Sequence, residues 1–278
     1  MSNLISLSSR LVRVTILLVG VFARDLSAET TVLHDDFSNA SHNAATLSID
    51  SAVSWHGFHN RAGGLPTIEE VNVRDSAGKA LNFSGKSQNA FVVASFPLVS
   101  LKKPGDFIDL KASYRYLHGP TDPANGFVMG LFNSNGMPIS AGNLDGRYPE
   151  PAEIGLEQFG YRVGKAPNSK TQDVVLDRAM GISSPFPSEA LETSDSDTLA
   201  QAKMTHVLLL RITKEEGGIF TLEYGVDSAR FKLPSSVDSM AATDFDTVLI
   251  YPLGRGFGES KGNNYIQVVD VAVTSHEK

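Results

Sequence analysis

The stretch Ile108-Asp109-Leu110-Lys111-Ala112-Ser113-Tyr114-Arg115-Tyr116 decides the fold. Its even positions are apolar or aromatic and its odd positions polar, the two-residue period of a strand with one face in a core and one in water. Tyr114 and Tyr116 are thereby predicted to point inward. The same period recurs downstream, where His206, Leu208, Leu210 and Ile212 alternate with Val207, Leu209, Arg211 and Thr213, and Phe220, Leu222 and Tyr224 alternate with Thr221 and Glu223. These two runs read as hairpin partners, with Gly217-Gly218 supplying positive φ between them. Phe127-Val128-Met129-Gly130-Leu131-Phe132 is apolar on both faces, so it is expected mid-sheet with something covering each side. Upstream, β-rich runs at 31–37, 68–73, 80–83 and 91–96 are separated by turn residues and suggest a meander; runs at 247–251 and 266–273 close the series. Roughly twelve strands result, with one helical candidate at 188–203 after Pro187. Long irregular stretches are expected at 133–170, 177–204 and 252–264. The expected architecture is all-β: a two-sheet antiparallel sandwich with long loops and at most one or two short helices.

The 278 residues hold 41% apolar side chains, enough for one large core. There is no Cys, which excludes disulfides, thiolate metal sites and Cys nucleophiles. Twenty-four Lys+Arg against 31 Asp+Glu give a net charge of -7, against the basic face a nucleic-acid binder needs. At the start, Arg10 and Arg13 precede the apolar run Val14 to Ala23 and the polar Arg24-Asp25-Leu26-Ser27-Ala28, the layout of a cleavable signal peptide. About ten apolar residues are too few for a transmembrane span. The expectation is a leader over 1–28, cut after Ala28, then one domain over 29–278 of net charge -9, secreted or periplasmic and without an integral membrane span.

The opening Leu33-His34-Asp35-Asp36-Phe37-Ser38, the segment Gly130 to Gly136, the hairpin 207–224 and the closing Val268-Val269-Asp270-Val271-Ala272-Val273 resemble bacterial secreted domains of the concanavalin A-like lectin/glucanase superfamily, which includes LamG-like jelly rolls. The resemblance implies a jelly roll whose first and last strands pair, and a concave sheet that takes glycans. It does not name a reaction, since this fold hosts lectins, binding modules, hydrolases and lyases. The Glu-x-Asp-x-x-Glu strand of laminarinase-type members has no match here, nor do the strands of alginate-lyase-type members. Glycan recognition of a poly- or oligosaccharide is therefore the expected task. A polysaccharide lyase or glycoside hydrolase of an unlisted family, or a surface adhesion module, are the alternatives.

Candidate ligand contacts follow from chemistry. Trp55, His56, His59 and Arg61 gather the sole Trp, two His and a cation in one segment, offering a ring to stack on and groups for hydroxyls; the alternative is a core indole beside a solvated loop. A His56/His59 metal pair lacks a nearby third ligand. Tyr148 follows Arg147 and Tyr161 precedes Arg162, the pairing a uronate lyase would use, unless the phenols merely face water. Glu157, flanked by apolar residues, is the carboxylate to test for a raised pKa. Lys111 and Arg115 share the non-core face of their strand and line a groove with Arg211 if that sheet is concave. Asn133 offers an amide to hydroxyls or caps its own turn. For a structural Ca²⁺ of the kind the resemblance implies, Asp36 and Asp270, with Asp35, supply the oxygens. Gly254-Arg255-Gly256-Phe257-Gly258 lies outside any βαβ pattern, so no nucleotide site is expected.

Overall fold

The computed structural model describes residues 29–43, 48–59, 66–73, 76–83, 91–116, 126–136, 142–143, 160–165, 174–179, 188–194, 204–234, 242–253 and 266–277. The expected leader lies outside these. Among the described residues there are eighteen strands in two sheets, one 3₁₀-type turn at Glu216–Gly218, and no helix long and apolar enough to cross a membrane.

The eight-stranded sheet has the order β16 (Ala229–Pro234), β15 (Phe220–Val226), β14 (His206–Lys214), β8 (Phe107–Tyr116), β18 (Ile266–His276), β6 (Ser76–Phe83), β5 (Thr67–Val73). β1 (Thr30–Asp35) also pairs with β18, beyond the point where β6 leaves it. The alternation in β8 works as expected: Ile108, Leu110, Ala112, Tyr114 and Tyr116 are fully buried in the core. The β14–β15 hairpin sets Leu210 opposite Tyr224 and Ile212 opposite Leu222, and Gly217 and Gly218 take φ of 74° and 79°. The first and last strands pair, with Thr30 opposite Ser275.

The ten-stranded sheet has the order β13 (Ser188–Ser194), β12 (Val174–Ala179), β11 (Gly160–Lys165), β9 (Gly126–Phe132), β17 (Asp244–Leu253), β7 (Phe91–Ser100), β4 (Ser54–His59), β3 (Ser48–Asp50), β2 (Ser41–Asn43). A two-residue β10 (Gly142–Asn143) lies parallel to β4; the other pairings are antiparallel. β9 is central, as its apolar faces required: Met129 and Leu131 enter the inter-sheet core, while Val128 and Phe132 are 3% exposed on the opposite side.

Three expectations fail. The run is not one meander, because β5 and β6 form a hairpin in the first sheet and β7 crosses to the second. Residues 188–194 form a strand, not the start of a helix: cross-strand hydrogen bonding to β12 overrides the helix-favouring Glu-Ala-Leu-Glu. The stretches read as irregular carry β10, which pairs with β4, and β11, β12 and β13, which extend the second sheet strand by strand.

Candidate functional site

Each sheet has an outward face, and the candidate residues divide between them. On the eight-stranded sheet, Arg211 donates to both oxygens of Asp109 at 2.5 Å, and Lys111 lies 3.6 Å from Asp109. Asp109 is 1% exposed, and its hydrogen bond is the leading cause of a raised Arg211 pKa. The guanidinium also sits 4.3 Å above the Phe107 ring, which stacks on His276. Arg211 is therefore bound to its own strand neighbours. A second polar row crosses the far end of the same face, through Arg115, Gln267, Asn82, and Thr67 with Glu69. Arg115 Nε donates to Gln267 Oε1 at 2.7 Å, and Asn82 Nδ2 donates to Glu69 Oε1 at 3.0 Å. Partial burial lowers the Arg115 pKa from its ordinary value.

The outward face of the ten-stranded sheet differs in chemistry. Phe58, Phe91, Val93, Val128, Leu249 and Tyr251 are all at most 3% exposed there, outside the inter-sheet core. Phe58 and Phe91 stack at 4.9 Å, and Tyr251 meets Phe91 edge-on at 6.1 Å. His56 shares this face, opposite Val93, and is half-buried. Burial depresses its pKa, against the pull of Asp50.

Trp55 does not offer a stacking platform. Its indole is fully buried against Phe37, and Nε1 donates to Asp35 Oδ2 at 2.8 Å. The inward alternation of β4 at that position explains this. Tyr161 is likewise enclosed, 1% exposed and part of the inter-sheet core, rather than at a wet loop edge. Asn133 caps its own turn, Oδ1 accepting from the Asn135 amide at 2.8 Å. His59 ends β4, where it pairs with Asn143. Arg61, Tyr148 and Glu157 lie outside the described residues.

The expected calcium ligands do not fit that ion. The Asp35 carboxylate is fully buried and accepts from Phe37 N, Ser51 Oγ and Trp55 Nε1. Asp270 meets His34 Nε2 at 2.9 Å. Asp36 accepts from the Ser38 amide at 2.9 Å, which holds its carboxyl below the usual range. Among the described residues no group of three or more His, Asp or Glu could hold a metal. Sequence reasoning missed Asn82, Gln267 and Glu69, although each lies on the polar alternation of its own strand.

No family model matches the chain, and a comparison with curated proteins finds no match. Among solved structures, the chain is similar to an endo-1,3-beta-glucanase from Streptomyces sioyaensis, at 12% identity and a TM-score of 0.50, over 91% of this chain and 98% of that one. The carbohydrate recognition domain of Emp47p gives 11% identity, a TM-score of 0.47, and 91% and 99% coverage. Arcelin-5, a lectin-like defense protein from Phaseolus vulgaris, gives 8%, 0.46, 90% and 99%. The glucanase match, together with the strand order, identifies the fold as the concanavalin A-like jelly roll.

Proposed function

We propose that the chain is an exported glycan-binding jelly-roll protein that takes a poly- or oligosaccharide on the outward, concave face of its ten-stranded sheet, beside His56. The position of His56 carries this reading. It is a half-buried imidazole on a face otherwise lined by Phe58, Phe91, Val93 and Tyr251. With its pKa depressed by burial, the ring is neutral at physiological pH, so one nitrogen donates and the other accepts. A sugar hydroxyl does both. The lectins and the glucanase with similar chain paths accord with a carbohydrate ligand. Export rests on the leader-like composition of residues 1–28.

The test is a glycan array followed by calorimetry on the best neutral and uronate-containing hits. His56→Ala is expected to weaken binding at least tenfold, and the secreted protein is expected to begin at Glu29 by mass spectrometry. Undiminished binding by the variant overturns the placement. New unsaturated ends on a uronate polysaccharide overturn the binding-only reading in favour of a lyase.

A further inference from the structure

We infer that the saccharide site at His56 is built to let go of its ligand on acidification, Asp50 on the adjoining strand being the carboxylate that draws a proton onto the ring. This rests on the reading of His56 given above and adds its regulation. Pairing of Ile49 with Trp55 places both side chains in the inter-sheet core, so the alternate positions Asp50 and His56 share the outward face. Asp50 lies opposite Ser54, which makes it the diagonal neighbour of His56. Diagonal neighbours on such a ladder stand about 7 Å apart, within reach of longer side chains. Both groups are half-buried, where solvent screens their attraction less than at an open surface.

The separation is held from behind. The buried Asp35 carboxylate accepts from Ser51 Oγ at 2.7 Å and from Trp55 Nε1 at 2.8 Å, and Ser51 and Trp55 are the chain neighbours of Asp50 and His56. The Ser51 amide also donates to Val53 O across the turn. One inward clamp thus fixes both members of the outward pair. The other positions beside His56 carry no charge: β3 adds Ser48, β7 adds Val93 and Phe91, and β10 brings Gly142 and Asn143 alongside the end of β4. Among the described residues, Asp50 is the one charge acting on the ring, and it opposes the larger effect of burial. Once protonated, the imidazole donates from both nitrogens and no longer accepts from a sugar hydroxyl. Saccharide and proton then compete for one ring, so affinity falls with pH. Asp50 sets where it falls, because without the carboxylate burial keeps the ring neutral to lower pH.

Two measurements on the full chain test this. In the first, the His56 ring resonances, assigned by their absence in His56→Gln, are followed by NMR from pH 8 to 4.5 without ligand. Asp50→Asn is expected to lower the midpoint by about half a pH unit. Asp50→Glu is expected to bring it back, and Glu223→Gln, an equal charge loss on the other sheet, to leave it in place. An unmoved midpoint in Asp50→Asn overturns the proposal; Asp50→Ser decides the matter if Asp50→Asn does not fold. In the second, calorimetry with laminarihexaose and cellohexaose is expected to show binding at pH 7.5 that weakens at least threefold by pH 4.5, and less steeply in Asp50→Asn. Binding that His56→Ala weakens but pH does not alter overturns acid release and leaves the saccharide site standing. Binding of neither hexaose at pH 7.5, or binding that His56→Ala does not diminish, overturns acid release whatever the midpoint does.

Discussion

At the end of β1 the Asp35 carboxylate holds three segments at once: the Phe37 amide, the Ser51 hydroxyl and the Trp55 indole. Asp35→Ala leaves buried donors unpaired and is expected to cost about 3 kcal/mol in urea unfolding, since each orphaned donor carries its own desolvation penalty. The same contacts explain why Trp55 misled the sequence reading. Composition marks a lone Trp as a possible platform, but only the partner twenty residues upstream draws it inside. His56 gives the opposite lesson, because nothing in its neighbours in sequence announces the half-burial. Its folded pKa lies below the unfolded value of about 6.5, so the unfolded chain binds the proton more readily. Its contribution to stability is therefore intact above that pH and declines as pH falls through it. His56→Gln is expected to flatten that portion of the stability–pH curve, measured by denaturant titration from pH 7.5 to 5.

Among the elements, β11 is fastened to β9 by a glycine. A Cβ built on Gly160 would meet Leu131 O at 2.4 Å and the Phe132 ring at 2.5 Å, and a backbone oxygen in a ladder cannot step aside cheaply. Gly160→Ala is expected to destabilise by about 2 kcal/mol through this overpacking, with thermal unfolding as the measurement. Strands such as β8 and β14 were legible because one face of each is buried and the other more open to water, which writes a two-residue period into the sequence. The strands β11 to β13, which end at the edge strand β13, carry no such period. β13 in particular is composed of good helix formers, and only the donors and acceptors of β12 make it extended. The polar row through Asn82 and Gln267 was hidden for a related reason: its members lie far apart in the chain and meet only through strand register.

Taken whole, the molecule has two dissimilar outer surfaces. The eight-stranded sheet carries paired polar groups outward, Arg211 with Asp109 and His34 with Asp270, whereas the centre of the ten-stranded sheet is apolar on both sides. That asymmetry was foreshadowed by β9, whose sequence lacks a polar face. The division of candidate residues between the surfaces was not, since alternation tells inward from outward but not which sheet a strand joins. The pairing of β1 with β18, which brings Thr30 opposite Ser275, has a consequence for engineering. A loop of two to four residues spans two antiparallel strands at such a point. Stitching residue 276 to residue 30 and reopening the polypeptide between Gly217 and Gly218, where no ladder hydrogen bond is severed, is expected to yield a circular permutant with unchanged far-UV dichroism. Unchanged dichroism in the permutant would show that the finished sandwich does not depend on which strand is synthesised first.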